Sequence, residues 1–172
     1  CVKENYLELK EKLAKNGYEF YSQTDTEVLT KLLDYYYKKY QGNTLEAITK
    51  VMLRVRGSYA LGIMLKKEPG VIYAVRKDSP LIVGRNEQGC FIASDVPAIL
   101  KYSRNVYYID NLEIARLTES DAAFYNIDRE EVVKEPVEIK WDAEAAEKGG
   151  FEHFMMKEIH EQPRACLLYT SP

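Results

Sequence analysis

The chain is poor in the residues that build metal centres and disulfide frameworks. Its 172 residues include three Cys, two His and one Trp. Cys1, Cys90 and Cys166 have no metal-type spacing, and an odd count argues against a disulfide framework. A reducing cytoplasm is the expected setting. Long apolar runs are also missing. The longest, Ala60 to Leu65, falls far short of a membrane span. The N-terminus is charged and amphipathic, unlike a signal peptide. No charge sign dominates: 24 Lys and Arg against 27 Asp and Glu give a net charge of -3. That excludes the electrostatic footprint of a nucleic-acid or anionic-membrane binder. Only nine Gly and six Pro, with 46% hydrophobic residues, exclude collagen-like, low-complexity and disordered chains.

What remains is enough for one core without disulfide or metal. Tyrosine is abundant at 14 copies, which suits packed but partly wet positions. Neither end reads as a natural terminus. The chain starts with Cys rather than Met, and Cys166 to Pro172 breaks the preceding pattern, so residues 166–172 are expected to be a foreign tail.

Tyr6, Leu9 and Leu13 predict a helix over residues 4–15, ended by Asn16-Gly17. Tyr18 to Tyr21 is short, aromatic and strand-like. Thr24-Asp25-Thr26-Glu27 reads as a capping box, Thr24 capping the first turn and Glu27 reaching back to its backbone. Val28, Leu29, Leu32, Leu33, Tyr36 and Tyr40 form the apolar face that follows. Gly42-Asn43-Thr44 starts a third helix through Leu45, Ile48, Val51, Met52 and Val55, stopped at Gly57. The period then changes. Ser58–Lys66 is apolar on both faces, as in a doubly buried strand. Pro69-Gly70 turns into Val71–Arg76. Further strands are expected at 81–84, 90–93, 106–109, 113–117 and 123–126, with a short helical piece from Ser94-Asp95 to Leu100. Helices followed by antiparallel strands predict an α+β fold. Residues 136–150 are polar and acidic and hold Gly149-Gly150, a linker signal. Phe151–Glu161 regains helical spacing.

Several segments together resemble the glutaminase domain of class II glutamine amidotransferases. They are Glu4-Asn5-Tyr6, Asn16 to Phe20, Ser22 to Val28, Arg56 to Ala60, Ser79-Pro80-Leu81 with Gly84, and Phe91 to Asp95. His153 to Pro163 resembles the linker that follows this domain in the branch aminating fructose 6-phosphate. The resemblance covers residues 2 to about 165. It implies an N-terminal-nucleophile hydrolase fold, an αββα sandwich, incomplete here at the N-terminus. Residues 1–135 would be the later part of the glutaminase domain and residues 136–165 a linker toward a sugar-isomerase domain outside this chain. It further implies glutamine as substrate, no cofactor and a homo-oligomeric parent.

Amide hydrolysis needs a nucleophile, a base, oxyanion donors and groups that hold the substrate. The resemblance implies that an N-terminal Cys supplies the thiol, and its α-amine, titrating at about pH 8, the base. Cys1 is not read as that nucleophile. It precedes Val2-Lys3-Glu4-Asn5-Tyr6, which matches a point inside the domain, where Cys1 stands in for the Gly of an oxyanion Asn-Gly pair. The catalytic residues are thus expected outside this sequence. Asp25 matches the Asp that binds the α-amino group of glutamine, a charge-assisted pairing. Thr24 and Thr26 are capping and positioning residues. His153 and His160 share a helical face but lack the spacing and third ligand of a zinc site, so no metal is expected. Cys90 reads as an inert core thiol, and Arg76 with Ser79-Pro80 as a strand end and turn. Two alternatives stay open: a degenerate glutaminase-like module that binds without chemistry, and another class II amidotransferase such as the purine or asparagine enzymes.

Overall fold

A computed structural model describes residues 2–3, 5–140, 155–156 and 159–160. Contacts divide the chain into two units, Cys1–Glu138 and Ile139–Pro172.

The first unit begins with β1 (Val2–Lys3) and three helices: α1 (Tyr6–Lys15), α2 (Asp25–Lys39) and α3 (Thr44–Arg54). Asn5 fixes the start of α1 without capping it. Its amide side chain donates to Arg54 O and accepts from Arg56 N, each at 2.9 Å. α1 therefore begins two residues later than its spacing suggested and is tied to the end of α3. Asn43 caps α3 by accepting from Glu46 N at 3.1 Å. The apolar stripes of the helices meet in one cluster through Leu9, Leu13, Val28, Leu32, Ile48 and Met52.

The strands β2 (Gly57–Met64), β3 (Ile72–Lys77), β4 (Ile82–Asn86), β5 (Gly89–Ala93), β6 (Asn105–Tyr108), β7 (Ile114–Leu117), β8 (Ala122–Tyr125), β9 (Glu131–Val132) and β10 (Val137–Glu138) follow, with α4 (Val96–Leu100) after β5. They form a six-stranded sheet in the order β1-β2-β3-β7-β8-β9 and a four-stranded sheet in the order β10-β6-β4-β5. The described pairings between strands are antiparallel.

Alternation along β3 and β7 assigns the layers. Tyr73, Val75 and Ile114 enter the helix-side cluster, whereas Ala74, Ala115 and Leu117 enter a second cluster with Val83 of β4 and with Leu81 and Ile109, which flank β4 and β6. Side chains of period two must part in this way when both faces are covered. On the far face of the smaller sheet, α4 lies against β4. A Cβ built on Gly84 would stand 2.7 Å from Ile99 Cδ1. The architecture is the expected αββα sandwich, its second helical layer reduced to five residues among those described.

Two polar clusters join distant segments. Glu68, in the β2–β3 connection, accepts from Thr44 Oγ1 and, at 2.6 Å, from Tyr73 OH. Lys134 donates to Tyr108 O, Asp110 Oδ2 and Glu113 Oε2. Burial alone would lower the Lys134 pKa, but the bonds to the two carboxylates outweigh it and raise it.

Three sequence expectations are corrected. Tyr18–Tyr21 is not a strand, because its backbone bonds to a side chain of α2 rather than to a neighbouring strand. Gly57 does not stop a helix. α3 ends at Arg54, and Gly57 opens β2 with φ 95°. The short strands β1, β9 and β10 were not anticipated. β10 lies just inside the stretch read as linker. In the second unit, Met155, Met156, Ile159 and His160 are helical and exposed. The remaining linker residues, Gly149-Gly150, His153, Cys166 and the tail lie outside the described residues.

Gly84→Ala is expected to destabilise the fold by about 1–3 kcal/mol through overpacking against Ile99. In Gly84→Ala/Ile99→Ala the two losses should be less than additive, read from urea midpoints of the four species. A second expectation concerns alkali. Burial pushes the Tyr59 and Tyr73 hydroxyls up to about 12, with Glu68 adding to the shift at Tyr73. Their contribution is present below the unfolded value of about 10 and is lost as pH rises through the folded value. Melting temperature should fall across that window, less steeply in Tyr59→Phe and Tyr73→Phe.

Candidate functional site

The site is built around the loop that leads into α2. Thr24 is the N-cap, and its Oγ1 accepts from Glu27 N at 3.4 Å. The second half of the capping box is absent. Glu27 does not return to the Thr24 backbone. Its carboxylate accepts from Tyr21 N at 2.9 Å, Ser22 N at 2.7 Å and Ser22 Oγ at 2.7 Å. Ser22 Oγ instead takes the Thr24 N–H, at 3.2 Å, and lies 2.8 Å from Thr24 Oγ1. One carboxylate thus gathers the loop donors that a strand would otherwise satisfy.

Asp25 is the first residue of α2 and is half-buried. Its position follows directly from the capped loop. Thr26 Oγ1 donates to Asp25 Oδ1 at 3.3 Å. The unpaired amides of the first turn favour a carboxylate there. A half-buried carboxylate on a rigid helix start suits an ammonium ion.

The loop is closed on its other side by Tyr18. Its hydroxyl donates to Asp34 Oδ2 at 2.9 Å, and Lys38 Nζ reaches the same oxygen at 2.6 Å. Burial would raise the Asp34 pKa, but the bonds from Lys38 and Tyr18 outweigh it and lower it. An open cleft of about 1140 Å³ lies here, lined by Tyr18, Tyr21, Lys31, Asp34, Tyr35 and Lys38 among others. Lys31 lies over the Tyr21 ring and Lys38 over the Tyr18 ring, at 5.3 and 5.6 Å. These cations are already engaged, and Asp25 does not line this cleft. Size alone does not make it the site.

The other residues singled out in the sequence stand apart. Cys1 lies outside the described residues. Cys90 is half-buried, and burial pushes its thiol up, away from nucleophile chemistry. Its Sγ donates to Asp121 O at 3.6 Å. Arg76 sits near the end of β3 and donates from Nη1 to Ile109 O at 3.1 Å. Among the described residues no group of three or more His, Cys, Asp or Glu is placed to hold a metal ion. No helix among them is long and apolar enough to cross a membrane. Sequence reasoning missed Glu27 as the loop organiser. The pattern that made it a capping-box partner hid its true donors, which lie five and six residues back.

Comparison with known proteins places this loop and fold in a family. Residues 4–101 match the model of the glutamine amidotransferase domain, and the chain belongs to that family. Among its relatives is the glutamine–fructose-6-phosphate aminotransferase (isomerizing) of Clostridium acetobutylicum. It is 56% identical over 162 residues, covering 94% of this chain and 26% of that protein. The enzymes of the same name from Caldanaerobacter subterraneus and Aquifex aeolicus are 54% and 48% identical, each over 94% of this chain. This chain thus spans about a quarter of the length of these relatives, 26% and 27% of the latter two. A solved structure, the glutamine phosphoribosylpyrophosphate amidotransferase of B. subtilis with ADP and GMP, superposes with TM-score 0.57 at 21% identity. It covers 72% of this chain and 27% of that one. At that identity it shows the shared fold alone.

The loop bonds hold the Glu27 carboxyl below the usual carboxylate range, the Tyr21 amide most and the Ser22 hydroxyl next. A lowered folded pKa stabilises above the unfolded value of about 4.3 and is lost as pH falls through the folded one. Glu27→Gln should flatten the acid limb of a melting-temperature series between about pH 2 and pH 5.

Proposed function

We propose that residues 1–135 belong to the glutamine-hydrolysing domain of a cytoplasmic glutamine–fructose-6-phosphate aminotransferase. In this reading residues 136–165 lead to a sugar-isomerase domain. The parent enzyme releases ammonia from glutamine there and transfers it to fructose 6-phosphate, giving glucosamine 6-phosphate. Asp25 binds the α-ammonium of glutamine. The nucleophile and the oxyanion donors lie outside this chain, which alone does not turn over glutamine.

One observation carries the Asp25 assignment: a half-buried carboxylate on the first residue of α2, behind a loop locked by Glu27. A carboxylate at that position can make a charge-assisted bond to an ammonium. The choice of branch is supported by relatives of one printed name at about half identity over most of this chain. The purine-type alternative has only a distant structural likeness behind it.

The test is glutamine binding by calorimetry, with glutaramate, which lacks the α-amino group, as comparison. The chain should prefer glutamine, and Asp25→Asn should lose most of that preference, about 1.5–3 kcal/mol for a charge-assisted bond. Equal binding of the two ligands, or an unchanged preference in Asp25→Asn, would sink the assignment. Ammonia release is measured in parallel on the chain and on Cys1→Ala. No release from either is expected. Release that Cys1→Ala abolishes would make Cys1 the nucleophile.

A further inference from the structure

Asn5 joins β1 to α1, and its backbone and side chain serve different elements. Its carbonyl accepts from Leu9 N at 3.2 Å and starts α1. Its side chain reaches 49 and 51 residues along the chain, donating from Nδ2 to Arg54 O and accepting at Oδ1 from Arg56 N, each at 2.9 Å. An asparagine amide offers an acceptor and an N–H donor, as a peptide group does. Here it meets the peptide groups on either side of Val55, which is buried in the helix-side cluster. Arg54 ends α3, and Gly57 opens β2. The clamp therefore closes where the helical layer passes into the large sheet.

β1 itself is a short hold. Two pairs join it to β2, Val2 opposite Ser58 and Lys3 opposite Gly57. A slip of one residue would shift β1 by about 3.4 Å along β2 and turn its residues to the other face. Such a shift exceeds hydrogen-bond reach, so the two Asn5 bonds exist in one register only. A side chain anchored to the end of the helical layer thus fixes what a two-residue ladder specifies weakly.

We propose that Asn5 is a positioning residue for glutamine hydrolysis. This rests on the glutaminase reading above, in which Asp25 lies in this chain and the reacting groups precede Val2. Residues before Val2 continue β1 antiparallel along β2, in the direction set by Val2 and Lys3. Asn5 therefore fixes their place. Asp25 is placed by α2, which packs with α3 in one cluster. The end of α3 ties the two parts of the site together, through the core to Asp25 and through Asn5 to β1. A displacement of about 1 Å between reacting groups costs up to a hundredfold in rate. Asn5 touches no substrate and acts only through the strand it holds.

The test is ammonia release from glutamine by the complete parent enzyme, with competent sites counted by titration with an electrophilic glutamine analogue. Asn5→Ala should lower kcat per competent site by about tenfold and leave KM within about twofold, because Asp25 is untouched. Asn5→Asp keeps the acceptor for Arg56 N and loses the donor to Arg54 O, so it should lose less, about threefold. It carries the test if Asn5→Ala does not fold. Hydrogen exchange of this chain, read by mass spectrometry, should quicken at Gly57–Ser58 in Asn5→Ala and stay unchanged in α2. A wild-type parent that releases no ammonia would overturn the glutaminase reading and this inference with it. An active wild type with unchanged kcat per site in the variants would overturn the inference alone. So would unchanged exchange at Gly57–Ser58, since the clamp would then not hold the register.

Discussion

The large sheet must be covered on both faces, and most of the molecule exists to do that. Tyr73, Val75 and Ile114 demand the helical layer, while Ala74, Ala115 and Leu117 demand a second sheet. A strand apolar on both sides cannot stand at a solvated surface. The apolar faces of α1, α2 and α3 answer one demand, and the alternation along β4 answers the other. The smaller sheet repeats the problem on a lesser scale. Its outer face is thin, and one short helix with Ile99 over Gly84 covers the middle of it. Small residues appear where the layers come closest: Gly62 faces Ile92, and Ala74 pairs with Ala115.

Much of this was legible because it is written locally. α2 and α3 announce themselves by apolar spacing and by cap residues, Thr24 and Asn43, that do what such residues do. The central strands announce themselves by continuous apolar character between turn residues. Other features depend on partners far along the chain. The strands β1, β9 and β10 are two residues each, too short for any period to show. Glu68 joins Thr44 and Tyr73, and Lys134 joins Asp110 and Glu113, with no nearby sequence signal. Tyr18–Tyr21 misled by composition. Aromatic residues favour strands, but here the Tyr18 hydroxyl anchors to Asp34 and the Tyr21 amide to Glu27.

The candidate site separates what geometry supplies from what resemblance supplies. Geometry gives a capped helix start with a half-buried carboxylate and a loop tied to it through Glu27. It does not name the ligand. An acidic residue in a first helical turn is common for electrostatic reasons alone. The proposal that Asp25 holds the α-ammonium of glutamine therefore rests on the motif around it as well as on its place at the helix start. The open cleft lined by Tyr18 and Lys31 carries more charge and more aromatic surface, yet Lys31 and Lys38 already rest on tyrosine rings.

Two carboxylates stand two residues apart at the start of α2, and they have different fates. Glu27 has both oxygens occupied by the loop, which leaves it little capacity for any visitor. It acts as a fastener. The ordering entropy of residues 21–24 is therefore met when the chain folds, rather than when a ligand arrives. A ligand meeting Asp25 faces a surface already set, so its binding energy is not diverted into closing a loop. Evolution could then vary the outer face of Tyr21, which is 82% exposed, without loosening the carboxylate beside it.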